Sequence, residues 1–116
     1  MKIKNLMVAS ILALGTIGAI STAAANVRMF VRHQVADYAS WRKVDNDFVP
    51  TQMKMGVIFR AVFQSTDDPN DVTVILDFPS ADQAKAFAVS PEFKTEMQNA
   101  GVKSTPQIWV VTKRLT

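Results

Sequence analysis

No cysteine occurs in the 116 residues, and there is one histidine, His33. Without cysteine the chain can form no disulfide, no thiolate metal site and no lipid attachment on an N-terminal Cys. One histidine without a cysteine or carboxylate cluster makes no metal site. A Gly-rich phosphate loop, a Ser-His-Asp set and a carboxylate pair in a suitable context are also missing, as are internal repeats, low-complexity tracts and long linkers. Positive charge is scarce once the first residues are set aside. Of 13 Lys+Arg, Lys2 and Lys4 lie in the leader, which leaves 11 against 10 Asp+Glu and a net of about +1. Only Arg42-Lys43 and Lys113-Arg114 are adjacent cations, so there is no basic stripe for nucleic acid.

What is present begins with that leader. Met1 to Asn5 is short and positive, Leu6 to Ile20 is an uncharged apolar run, and "STAAAN" places small residues at Ala23 and Ala25. This order predicts a secretory signal peptide over 1–25, cleaved between Ala25 and Asn26, ahead of a domain over 26–116. An uncleaved anchor is the alternative. The run could barely span a hydrocarbon core of about 30 Å, and Gly15, Thr16 and Gly18 dilute it. Cleavage implies an exported chain, periplasmic or secreted, with no stable membrane association afterwards. About 90 residues held by burial alone are marginal, so oligomerisation would help.

Asn26 to Val35 alternates, with Val27, Met29, Val31 and Val35 opposite Arg28, Phe30, Arg32 and Gln34, the period of a strand. Asp37 can cap a helix whose stripe is Tyr38, Trp41, Val44, Phe48 and Met55. Pro50 predicts a kink there or the start of a second short helix, and Gly56 a stop. Val57 to Ser65 alternates again, "TDDPND" turns, and Val72 to Phe78 completes a hairpin. Ser80 to Gln83 matches a capping box, Ser90-Pro91 is a second helix-start signal, and Gly101 is a C-cap. A last strand covers Gln107 to Lys113.

The order βαββαβ predicts an α+β, ferredoxin-like fold, an antiparallel sheet with the helices on one face. The other face, read by alternation, carries Phe30, Arg32, Gln34, Ile58, Arg60, Val62, Gln64, Thr73, Ile75 and Asp77. That is too apolar for bare solvent, and a second copy is the expected partner, the two sheets closing into a dimeric barrel.

"HQVADYASW" (33–41), "DDPNDV" (67–72), "LDFPSADQAKAF" (76–87), "SPEFKTEM" (90–97) and "AGV" (100–102) resemble the small dimeric α/β-barrel proteins. That superfamily includes antibiotic-biosynthesis monooxygenases and haem-degrading monooxygenases. The resemblance covers nearly the whole of 26–116 and speaks more for fold than for activity. It implies a homodimer with a small-molecule cavity. The haem-degrading branch has an iron-ligating histidine on its second helix, and residues 80 to 100 contain none. The cofactor-independent branch places Asn, Trp and Tyr or His around a cavity for a polycyclic aromatic. Tyr38, Trp41 and Trp109 do not match that set residue by residue, so no catalytic residue is carried over.

His33 follows Met29 and Val31 onto the helix-covered face at the strand's end. Two readings stand: a rim residue hydrogen-bonded near the first helix, or an imidazole turned by a bulge into the cavity as a catalytic base. Arg32, Arg60 and Asp77 fall together on the barrel face, either as an ion-pair network or as a site for an oxyanion or carboxylate. Phe30 and Trp109, the latter on either face, complete the candidate substrate-binding set, whereas Trp41 and Tyr38 read as core. The expected function is a monooxygenase-like enzyme acting on a small aromatic or quinol-type compound without cofactor or metal. The alternative is a non-catalytic periplasmic binding or stress-related module. Haem ligation by His33 is the weakest of the three.

Overall fold

In the computed structural model, which describes residues 26–114, four strands and three helices follow one another. They are β1 (Val27–Gln34), α1 (Tyr38–Lys54), β2 (Phe59–Gln64), β3 (Asp71–Phe78), α2 (Ala81–Ala88), α3 (Pro91–Asn99) and β4 (Gln107–Thr112). The sheet order is β2-β3-β1-β4 and every pairing is antiparallel, the ferredoxin-like arrangement expected. The predicted signal peptide lies outside the described residues. Among those residues no helix is long and apolar enough to cross a membrane.

Each helix begins where a side chain can accept from a free first-turn amide. Asp37 accepts from Ser40 N at 2.9 Å, Ser80 Oγ from Gln83 N at 3.2 Å and Ser90 Oγ from Phe93 N at 3.1 Å. Ser90 thereby divides the second helical stretch into α2 and α3. Pro50 neither ends α1 nor starts another helix, for Tyr38–Lys54 is continuous through it. The α1 terminus is sharper: Gly56 has φ 107°, and a Cβ there would stand 2.9 Å from Gln83 Nε2.

The core lies between the helices and one face of the sheet. Val27, Met29 and Val31 of β1 and Val72, Val74, Leu76 and Phe78 of β3 meet Trp41, Ala84, Phe87 and Phe93 from the helices. Phe87 touches Phe48, Phe78 and Phe93 with ring centroids 6.2, 5.6 and 4.8 Å away. Truncating so central an aromatic costs about 3–5 kcal/mol in well-packed cores.

The expected face of β2 is reversed. Arg60 pairs with Leu76, Val62 with Val74 and Gln64 with Val72, so these three share the helix-covered face. Phe59, Ala61 and Phe63 look outward beside Asp77, Ile75 and Thr73. Val57 is buried but precedes the ladder, its N–H donating to Gln52 O at 3.1 Å. Alternation counted from Val57 is therefore out of phase with the paired strand, and one residue of phase exchanges every side chain between faces.

Candidate functional site

Beneath α1 and α3 the apolar core is interrupted by polar side chains. Asp45 and Gln52 of α1, His33 of β1 and Glu96 of α3 are only 2, 2, 5 and 7% exposed. Asp45 and Gln52 occupy the inward stripe of α1 begun by Trp41, and Glu96 lies one turn after Phe93 on the inward side of α3. Groups this deep require partners, because a buried charge left alone costs several kcal/mol.

Half of the cluster is satisfied. Arg60 reaches in from β2, its Nε donating to Gln52 Oε1 at 3.0 Å and its Nη2 to Asp45 Oδ2. Gln52 Nε2 approaches Asp45 Oδ1 at 3.4 Å, and Arg42 Nη1 stands 3.8 Å from the same carboxylate. Arg60 was expected on the barrel face. The register of β2 with β3 puts it instead under α1, where it neutralises Asp45.

The other half is open. His33 Nδ1, Trp41 Nε1 and Glu96 Oε2 are buried and have no protein hydrogen-bond partner. All three residues line one narrow void of ≈ 10 Å³, close to the room a single water needs. Burial pushes the Glu96 carboxyl up to about 7, helped by the negative charge of Asp45 and opposed by Arg60. Burial lowers the His33 pKa, against its own backbone hydrogen bond and the charges of Asp45 and Asp71. Near neutral pH the imidazole is therefore uncharged and can accept a proton, while Glu96 is poised between acid and base.

The void shares a wall with two surface openings. Glu96 also lines a groove of ≈ 480 Å³ between α1 and α3, where Val44, Phe48 and Pro91 supply apolar surface and Asp47 and Glu92 further carboxylates. His33 also lines a polar pocket of ≈ 350 Å³ with Arg32, Gln34, Asp71, Ser104, Thr105 and Gln107. His33 sits one residue before the end of its strand, as a buried side chain packed against Trp41, with ring centroids 5.7 Å apart, rather than as a rim group. No bulge turns it inward, since it keeps its ladder position opposite Val72.

The remaining candidates lie on the open face of the sheet, and of them only Arg32 lines a pocket with His33. Asp77 accepts from Arg28 Nε at 2.8 Å and Nη2 at 3.0 Å. Asp71 accepts from Arg32 Nε at 3.0 Å and Nη2 at 2.7 Å. Arg32, Arg60 and Asp77 thus belong to three separate ion pairs. Trp109 takes the open face, stacked on Phe30 at 5.0 Å with 7° between the rings. Among the described residues no three His, Cys, Asp or Glu side chains are grouped to hold a metal ion.

Asp45, Gln52 and Glu96 were not among the sequence candidates. Their signal was there: each falls in step with an apolar helical stripe, at Trp41, Asp45, Phe48 and Gln52 and at Phe93, Glu96 and Ala100. A polar group on a buried stripe says more than another apolar one.

No family model matches the sequence, nor does any curated protein. Solved structures do. A presumed antibiotic biosynthesis monooxygenase from Bordetella bronchiseptica superposes with TM-score 0.69 at 18% identity, over 79% of this chain and 100% of that one. SnoaB, a cofactor-independent oxygenase from Streptomyces nogalater, superposes with TM-score 0.66 at 18% identity, over 80% and 97%. A conserved protein from Methanosarcina mazei Go1 gives 0.64 at 16%, over 78% and 94%. The chain thus has the fold of antibiotic-biosynthesis-monooxygenase-like proteins.

Proposed function

We propose that this is an exported enzyme of the monooxygenase-like type that oxidises a small electron-rich aromatic, a phenol or quinol, with dioxygen. The supporting observation is that His33, Trp41 and Glu96, each with a buried polar atom lacking a protein partner, line one void beside an apolar groove. A phenol lying on Val44 and Phe48 would present its hydroxyl to Glu96, the one side chain shared by groove and void. Taking that proton produces a phenolate, which gives up electrons to dioxygen far more readily than the neutral phenol does. One oxygen atom ends on a ring carbon as the quinone oxygen. The other leaves as water with the phenolic and ring hydrogens. A base with pKa near the working pH suits the first step, and the neutral His33 can relay the proton to the polar pocket.

Two further parts of the reading come from outside this cluster. Export and cleavage rest on the leader and its Ala-x-Ala pattern; a mass for the cell-envelope protein that begins at Asn26 supports both, an intact leader in the envelope refutes cleavage, and a protein confined to the cytoplasm refutes export. A homodimer rests on the open sheet face, where Phe59, Phe63, Trp109 and Val111 remain exposed in one chain.

Oxygen uptake with a panel of phenols, hydroquinones and anthrones tests the chemistry. We expect consumption matched by quinone formation, with Glu96→Gln lowering the rate at least a hundredfold, the scale of losing a general base. Compounds that bind but never consume oxygen would leave a binding module in place of an enzyme.

A further inference from the structure

His33, Trp41 and Glu96 come from β1, α1 and α3, and each keeps one buried polar atom without a protein partner. All three side chains line the same void of ≈ 10 Å³. That is about the space one water occupies and less than two would need, and a water held there requires about two to four polar partners. The other polar groups on the wall are already engaged. Asp45 accepts from Arg60 and Gln52, and Gln52 Oε1 accepts from Arg60. The rest of the wall is apolar, from Val31, Val74, Leu76 and Phe93. A wholly apolar void of this size would stay dry. Three orphaned polar atoms reverse that preference, because a buried donor or acceptor left without a partner is costly.

We propose that the void is a site for one internal water, which accepts from Trp41 Nε1, donates to Glu96 Oε2 and hydrogen-bonds His33 Nδ1. The chemistry of the wall orients it. An indole N–H only donates and an ionised carboxylate only accepts, so the water is held from two sides and keeps one valence for the imidazole. Trp41 is then a positioning residue rather than a simple core aromatic: its ring packs against Tyr38 and His33, and its N–H fixes the water. The water also gives Glu96 and His33 a common hydrogen-bond neighbour, although no direct bond joins them. Only the use of this link rests on the oxidation proposed above, where it carries the proton that Glu96 takes on to His33. The water site itself stands on the void and the three orphaned atoms.

A crystal structure at a resolution that shows ordered water is the direct test. One water is expected in the void, within about 2.7–3.2 Å of Trp41 Nε1, Glu96 Oε2 and His33 Nδ1. Nuclear magnetic resonance gives a second reading in solution at about pH 8, where Glu96 is ionised because it titrates at about 7. Magnetisation should pass from water to the Trp41 indole proton by direct contact rather than by chemical exchange. Glu96→Gln keeps an acceptor at the site and should keep that signal, whereas Glu96→Leu should abolish it with circular dichroism unchanged. Both wild-type measurements stand whether or not the variants fold. A dry void, a water more than about 3.5 Å from any of the three atoms, or a signal that survives Glu96→Leu overturns the proposal. Its failure is distinct from failure of the oxidation. Oxygen uptake with a dry void removes only this inference; an ordered water without uptake removes only the enzyme.

Discussion

Replacing Glu96 by glutamine keeps the side chain's size and removes its ionisation, so it isolates what burying that carboxyl costs. In the folded protein the group titrates at about 7, against 4.5 for the free side chain, chiefly because it is buried and also because Asp45 is negative. A carboxyl that holds its proton more tightly when folded contributes its full stability below 4.5 and loses it as pH rises to about 7. At about 1.4 kcal/mol for each tenfold change in proton affinity, the interval from 4.5 to about 7 corresponds to about 3 kcal/mol. The wild-type protein should therefore lose about 3 kcal/mol of unfolding free energy from this group between about pH 4.5 and pH 8, and Glu96→Gln should not. His33 acts in the opposite direction, since its lowered pKa removes stability as pH falls below 6.5. That contribution is common to both proteins and cancels in their difference. Urea unfolding followed by tryptophan fluorescence at several pH values measures it. Parallel stability profiles for the two proteins would mean that Glu96 is solvated, and the reasoning about the void would fall with it.

Arg60→Met should destabilise by up to about 3–5 kcal/mol, because it removes the hydrogen-bonded guanidinium from the buried Asp45 carboxylate and leaves only Arg42, 3.8 Å away. Adding Asp45→Leu should recover most of that loss, and additive losses in the double-mutant cycle would show that the pair is not coupled. On the open sheet face, Trp109→Lys should leave circular dichroism unchanged and shift sedimentation from dimer to monomer at micromolar concentration. A wild-type protein that is already monomeric there refutes the sheet-to-sheet partner.

Much of the fold was legible because local chemistry announces itself. Asp37, Ser80 and Ser90 cap the helices they were expected to cap, for a short oxygen-bearing side chain before an apolar stripe has few better uses. The face of β1 followed from strict alternation of Val27, Met29 and Val31 with Arg28, Phe30 and Arg32. Two local readings were decided by packing. Of the two expectations at Pro50, the start of a second helix is excluded, because tertiary packing holds α1 on both sides of it. The strand beginning at Phe59 carries apolar residues in both phases, so no alternation rule chooses between them, and its pairing with β3 decides.

The candidate site was less legible because its members share no motif. By itself the sequence determined the element order, the caps and the one histidine's place near the end of a buried strand face. Those depend on spacings of a few residues along the chain. Only the tertiary structure decided that Arg60 turns inward to Asp45, that Arg32 and Asp77 are held by Asp71 and Arg28, and that His33, Trp41 and Glu96 meet. Contacts between residues 33 and 96 depend on how two helices lie across a sheet, and a one-residue change in strand phase exchanges the whole set.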